Sequence, residues 1–114
     1  YEAVRLYNAG WDKTTIAAAL HLSPEALRGI ERYAPNHAEN RAKREEEYRR
    51  DARYVARRLG IPYREALVRV RDLSRRGLLA RFMGNLDLIS EVQDEARDMY
   101  EEAYDEVEGT WPFA

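Results

Sequence analysis

Arginine side chains crowd the middle of this chain at spacings that would place several of them on exposed helix faces. Nine of them lie within thirty positions: Arg53, Arg57, Arg58, Arg64, Arg69, Arg71, Arg75, Arg76 and Arg81. A guanidinium offers N–H donors in a planar fork, which matches both phosphate oxygens and the major-groove edge of guanine. The cluster is therefore the charge pattern expected of a surface that meets a polyanion.

Small and apolar residues among these arginines recur at intervals that fit two helices joined by a tight turn. Ala56 lets the first helix approach the second closely, and Gly60 supplies the freedom that the turn requires. The buried face of the second helix would consist of Ile61, Ala66 and Val70. Its free face would present Tyr63, Arg64, Leu67, Val68 and Arg71.

This spacing resembles the winged helix-turn-helix family, whose second helix enters the major groove of DNA. The resemblance implies that Arg64 and Arg71 contact guanine edges or phosphate and that Tyr63 contacts phosphate. It also implies that Leu67 or Val68 meets a thymine methyl group, and packing against the wing explains these two residues equally well. The surrounding positive charge would come from Arg57, Arg58, Arg75, Arg76 and Arg81.

An earlier segment, residues 15–30, repeats the pattern and predicts a first helix-turn-helix copy. His21 stands where Gly60 stands in the later copy, so the backbone there must accept a side chain in a left-handed conformation. Glu25 would accept a hydrogen bond from a cytosine amine or only interact with the helix dipole. The DNA contacts of this copy would be Ser23, Glu25, Arg28 and Arg32, with Thr14 and Thr15 on phosphate.

Caps and breakers predict the remaining elements. Helices are expected over residues 2–8, 12–20, 24–33 and 63–76, and residues 37–59 form one long helix or two that meet near residue 50. Gly84 and Asn85 between the apolar runs 79–83 and 86–89 predict a short β-hairpin wing, with a helical continuation as the alternative. Ser90 and Gln93 form a capping box, which predicts a last helix over residues 90–108.

The elements predict a mainly α chain of tandem helix-turn-helix units with a long acidic C-terminal helix. Residues 1–36 would form the first unit, residues 37–89 the second, winged unit, and residues 90–114 the acidic helix with an apolar tail. Residues 40–47 contain a single apolar side chain, that of Ala42, which makes a poor core helix. We therefore expect the second unit to share its core with the first.

The net charge of −2 conceals two oppositely charged segments. Residues 1–84 hold 18 Lys and Arg against 11 Asp and Glu, a net of +7, whereas residues 85–114 hold 1 against 10, a net of −9. This asymmetry indicates a basic binding face with an acidic appendage, or simply two solvated helix faces. An apolar stripe on the last helix either docks on the protein's own core, forms a homodimer or binds a protein partner. A further alternative is that the acidic helix covers the protein's own basic face or mimics DNA.

Residues for catalysis or metal binding are not evident in this sequence. The chain has no cysteine, and His21 and His37 fit no metal-ligand or nucleophile–base spacing. Ser23 fits a helix cap, and glycine occurs only singly, so phosphate loops are excluded. No apolar run approaches the length of a membrane span. We expect no enzyme, no cofactor, no metal and no membrane partner.

These observations together predict sequence-specific binding of double-stranded DNA by a small transcriptional regulator of bacterial or phage origin, in the cytoplasm of the bacterial host. A phage small terminase subunit, which packages DNA, is the alternative within the same class. A different class is a protein-interaction module that acts through the C-terminal helix. The first residue is Tyr1 rather than Met, which fits a piece of a longer protein.

Overall fold

A computed structural model describes the backbone of residues 2–106 and the side chains of residues 2–100. Its helices are α1 (Glu2–Asn8), α2 (Lys13–Leu20), α3 (His37–Leu59), α4 (Tyr63–Met83) and α5 (Leu86–Glu106), with 3₁₀ turns at Pro24–Leu27 and Ile30–Tyr33. The described residues contain no strand, which confirms the prediction of a mainly α chain. The chain divides into two compact units, unit 1 (Tyr1–Glu47) and unit 2 (Tyr48–Ala114).

Unit 1 is built on α1, α2 and the two 3₁₀ turns, which bury apolar residues between them. Asp12 starts α2 as predicted, because its carboxylate accepts hydrogen bonds from the backbone N–H of Thr15 at 3.0 Å and from the Thr15 hydroxyl at 2.7 Å. The buried apolar residues of this unit are Leu6, Tyr7, Ile16, Ala19, Leu27, Ile30 and Ala34.

The first part of α3 belongs to unit 1 and is held there by polar contacts. The Asn40 side-chain amide donates to the carbonyl of Asn8 at 2.7 Å, and the Arg44 Nε donates to the carbonyl of Ala9 at 2.9 Å. The Arg44 guanidinium also lies 4.0 Å from the centre of the Trp11 ring. A helical segment with almost no apolar side chains is thus fixed by hydrogen bonds and a cation–π contact.

The predicted helix over residues 24–33 is wrong. The segment forms two separate 3₁₀ turns, in which the N–H of Arg28 bonds to the carbonyl of Glu25 and that of Arg32 to the carbonyl of Gly29. Gly29 lies between the turns with a φ of 78°, which breaks regular helical bonding, and the Ser23 side chain caps neither turn. The first copy therefore has a helix and a turn but no second α-helix to act as a recognition helix.

Unit 2 packs the second half of α3, α4 and α5 around one apolar cluster. The apolar stripe of α5 contributes to this cluster, and α4 and α5 contact each other. The nine buried members are Ala52, Val55, Ala66, Val70, Leu73, Val92, Ala96, Met99 and Tyr100. All of them belong to unit 2.

The β-hairpin wing is not formed, and its residues continue the helices. α4 runs to Met83 and ends at Gly84, whose φ is 64° and whose N–H bonds back to Ala80. The Asn85 side chain then accepts from the N–H of Asp87 at 3.0 Å and of the next residue, so it caps α5. The last helix therefore begins one turn before the predicted capping box. The predicted helix 37–59 is a single continuous helix, α3.

Candidate nucleic-acid interface

The turn between α3 and α4 is short and passes through the left-handed region of backbone conformation. Gly60 adopts a φ of 66°, and the N–H of Ile61 reaches back five residues to the carbonyl of Ala56 at 3.1 Å. Pro62 is extended, with φ −60° and ψ 147°, and leads directly into α4. Three residues thus connect the end of α3 to the start of α4.

The turn after α2 repeats this arrangement with a side chain at the left-handed position. His21 has φ 55° and ψ 44°, as the sequence comparison of the two copies predicted. The N–H of Leu22 bonds to the carbonyl of Ala17 at 2.9 Å, which is the same five-residue step. The two copies therefore share their turn, but only the second copy continues from it into an α-helix.

The outer face of α4 carries a straight row of side chains that we call the α4 stripe, formed by Arg64, Val68, Arg71 and Arg75. Their spacing of four, three and four residues aligns them along one side of the helix over about 16 Å. All four are exposed, and Val68 in the row is 64% exposed. The buried residues of α4 lie on the opposite side.

The two acidic residues of α4 both pair with arginines outside this row. Glu65 binds Arg69 at 3.1 Å, and Asp72 binds Arg76 at 2.8 Å. Arg76 also reaches Glu95 of α5 at 2.7 Å, and this hydrogen bond raises the pKa of the Arg76 guanidinium above its usual range. Arg69 and Arg76 thus neutralise the acids of their own helix.

A second basic row, the α3 stripe, consists of Arg49, Arg53 and Arg57, spaced four residues apart and all exposed. Arg57 was predicted as part of the site, and Arg49 was missed, although its i,i+4 spacing to Arg53 was a usable signal. Arg58 points elsewhere, since its Nε donates to the backbone carbonyl of Asp98 at 3.0 Å. Among the side chains that the structure describes, no ion pair involves the α3 stripe.

The remaining predicted contacts of the second copy are dispersed. Tyr63 is exposed at the first turn of α4. Leu67 is partly buried against the apolar cluster, so it packs on the core, and there is no wing for it to contact. Arg81 is exposed but lies about 120° around the helix from Arg75. The structure thus brings Arg64, Val68, Arg71 and Arg75 together and separates Arg81 from them.

The predicted contacts of the first copy do not form a common helix face. Thr15 is buried and its hydroxyl is bonded to Asp12, so as placed it is not available to a phosphate, whereas Thr14 is exposed. The other predicted residues are exposed on the turn and the 3₁₀ segments: Ser23, Glu25, Arg28 and Arg32. Unit 1 therefore lacks the row of side chains that α4 provides.

The outer face of α5 is acidic and has the same spacing as the α4 stripe. Asp87, Glu91, Asp94 and Asp98 are exposed and follow one another at intervals of four, three and four residues. We call this row the α5 acidic face. Its charge opposes that of the α4 stripe within the same unit.

No family model, curated protein sequence or solved structure matches this chain. Within the described part of the chain, no helix is both long enough and apolar enough to span a membrane.

Proposed function

We propose that unit 2 binds double-stranded DNA through the α4 stripe. The observation that carries this proposal is the alignment of Arg64, Arg71 and Arg75 on the exposed side of a helix whose own acids pair with other arginines. A helix with exposed arginines along one side fits the width of the major groove, where guanidinium groups bind guanine edges and flanking phosphates. Val68 within the row would meet a thymine methyl group.

In this proposal the α3 stripe makes additional contacts with DNA phosphates. Arg57 and Arg64 flank the turn that joins the two helices, so both basic rows approach this turn. Contacts from arginine to phosphate fix the position of a protein on the duplex without reading sequence. We assign phosphate binding to the α3 stripe and base reading to the α4 stripe. A small regulator of bacterial or phage type is the role that this activity fits.

Binding is tested by fluorescence anisotropy of the full chain on labelled duplex DNA over a series of salt concentrations. Arg64→Gln and Arg75→Gln should each weaken binding, and a variant that removes a phosphate contact should reduce the salt slope by about 1. If Arg64 reads guanine, its loss should cost about 1–3 kcal/mol and relax preference at one base pair. Arg97→Gln removes the same charge from an exposed position on α5 and is the matched control.

Equal effects of Arg75→Gln and Arg97→Gln would contradict a defined interface and leave only general electrostatic attraction. A folded wild-type chain that shows no binding at low salt would remove the proposal altogether. A molecular mass in solution that corresponds to a closed ring of several copies would favour the packaging subunit over the regulator.

The protein-interaction alternative has less support in unit 2. The apolar stripe of α5 that would bind a partner helix is used internally, since Val92, Ala96 and Met99 lie in the apolar cluster. The side of α5 that remains exposed is its acidic face, which offers little apolar area to a protein partner.

A further inference from the structure

An open groove of about 680 Å³ lies on unit 1, between α1, the turn after α2 and the two 3₁₀ turns. Leu27 and Ile30 form its buried floor. Leu22 and Tyr33 stand at its edge, with 38% and 69% of their surface exposed. Exposed apolar side chains around a concave surface of this size indicate a binding site, because covering them removes apolar area from water.

The dimensions and walls of the groove fit a small molecule. Sites for small ligands typically enclose about 300–1,000 Å³ and have apolar walls with few polar groups. The walls here are aliphatic and aromatic apart from one charged side chain, that of Arg28. The 3₁₀ turns that carry half of the lining residues have weaker hydrogen-bond geometry than an α-helix, so this part of the wall can adjust to an occupant.

Arg28 determines which chemical class the groove would accept. Its side chain is exposed at the groove, and among the described residues no ion pair involves it. Two acids of the same unit are already neutralised, Glu2 by Arg5 and Glu31 by Lys13. A guanidinium binds a carboxylate through two parallel hydrogen bonds, which gives geometric selectivity as well as charge complementarity.

From this arrangement we infer that unit 1 binds a small amphipathic carboxylate, with its apolar part over Leu27 and Ile30 and its carboxylate on Arg28. Leu22 and Tyr33 close around the apolar part and lose their exposure to water. This binding is separate from the proposed DNA binding, which uses residues of unit 2 alone.

The test uses octanoate as the probe and the methyl resonances of the full chain as the readout. Titration should shift the methyl signals of Leu22, Leu27 and Ile30 in a saturable way. Octanoate should bind about tenfold more tightly than octanol, which has the same chain without the charge. Octylamine, which carries the opposite charge, should bind no better than octanol.

Two exposed arginines of the same segment provide the matched variants. Arg28→Gln should abolish the preference for octanoate over octanol, whereas Arg32→Gln, outside the groove lining, should retain it. Tyr33→Ala should weaken both ligands by a similar factor, and its exposure makes loss of folding unexpected. An unchanged far-UV spectrum verifies that each variant is folded.

Three outcomes would overturn the inference. They are the lack of saturable methyl shifts with octanoate, a preference for octanoate that survives in Arg28→Gln, and octylamine binding as tight as that of octanoate. An acidic amphipathic peptide that shifts the same methyl groups when octanoate does not would assign the groove to a protein partner instead.

Discussion

At the scale of the residue, His21 and Gly60 adopt the same left-handed backbone conformation, which is less favourable for histidine than for glycine. Both end a helix in the left-handed region, with φ values of 55° and 66°. That region costs a residue with a Cβ about 1–2 kcal/mol, partly relieved in His and absent in Gly. His21 is exposed, so its side chain adds little packing in return.

His21→Gly should therefore raise the free energy of unfolding by about 0.5–1 kcal/mol, measured by chemical denaturation of the full chain. The reciprocal change, Gly60→Ala, should lower it by about 1 kcal/mol. A Cβ at Gly60 would meet no atom within 4 Å, so this control measures backbone conformation without a steric clash. A loss of stability in His21→Gly would show that the imidazole makes a stabilising interaction.

At the scale of the element, α5 is both a charged surface and a wall of the core. Met99 is 2% exposed within the apolar cluster of unit 2. Met99→Glu should lower the free energy of unfolding by roughly 3–5 kcal/mol, since it buries an unpaired charge. Arg97→Glu places a carboxylate on the exposed side of the same helix and should change it by less than about 0.5 kcal/mol.

Light scattering on the same variants distinguishes this docking from a dimer seam. Docking predicts that Met99→Glu loses stability while its mass in solution equals that of the wild type. If instead a wild-type dimer dissociated into stable monomers, the stripe would form a seam between copies.

Helices could be predicted from the sequence where a residue pattern had only one structural interpretation. Asp12 before a helix-forming run correctly predicted the start of α2. The apolar spacing after residue 62 correctly predicted that α4 is a helix. Gly84 and Asn85 led to the wrong prediction of a β-hairpin, because the same dipeptide has two structural uses. Between two strands it forms a hairpin turn. Here Gly84 ends one helix and Asn85 caps the next. Few β-branched residues surround them, and helix propensity prevailed.

The exposure of the candidate site residues was predictable only in part. The apolar period of α4 correctly placed Ala66 and Val70 inward and Arg64 and Arg71 outward, whereas Leu67, which was expected on the free face, packs against the apolar cluster. The pairing of Arg76 with Glu95 depends on where α5 packs, which no local pattern contains. The break in the helix at Gly29 could not be predicted either, because a single glycine within a helical pattern is compatible with an uninterrupted helix.

At the scale of the whole molecule, the chain consists of two compact units, each with its own buried residues. A fragment of residues 40–114 should therefore melt cooperatively, since it retains every member of the nine-residue cluster. Circular dichroism against temperature measures this. The same fragment with Met99→Glu is the control and should lose the transition. A wild-type fragment without a cooperative transition would instead support the prediction from the sequence that the two units share a core.

The opposed α4 stripe and α5 acidic face also govern how the protein meets a charged chromatography matrix. A resin contacts one face of a molecule at a time, so the formal charge of −2 does not describe the surface that it meets. A sulfonate bead can adsorb the arginine side, and a quaternary amine bead can adsorb the carboxylate side of the same unit. Retention on both resins at neutral pH, with elution by modest salt, is the laboratory signature of charge that is segregated rather than absent.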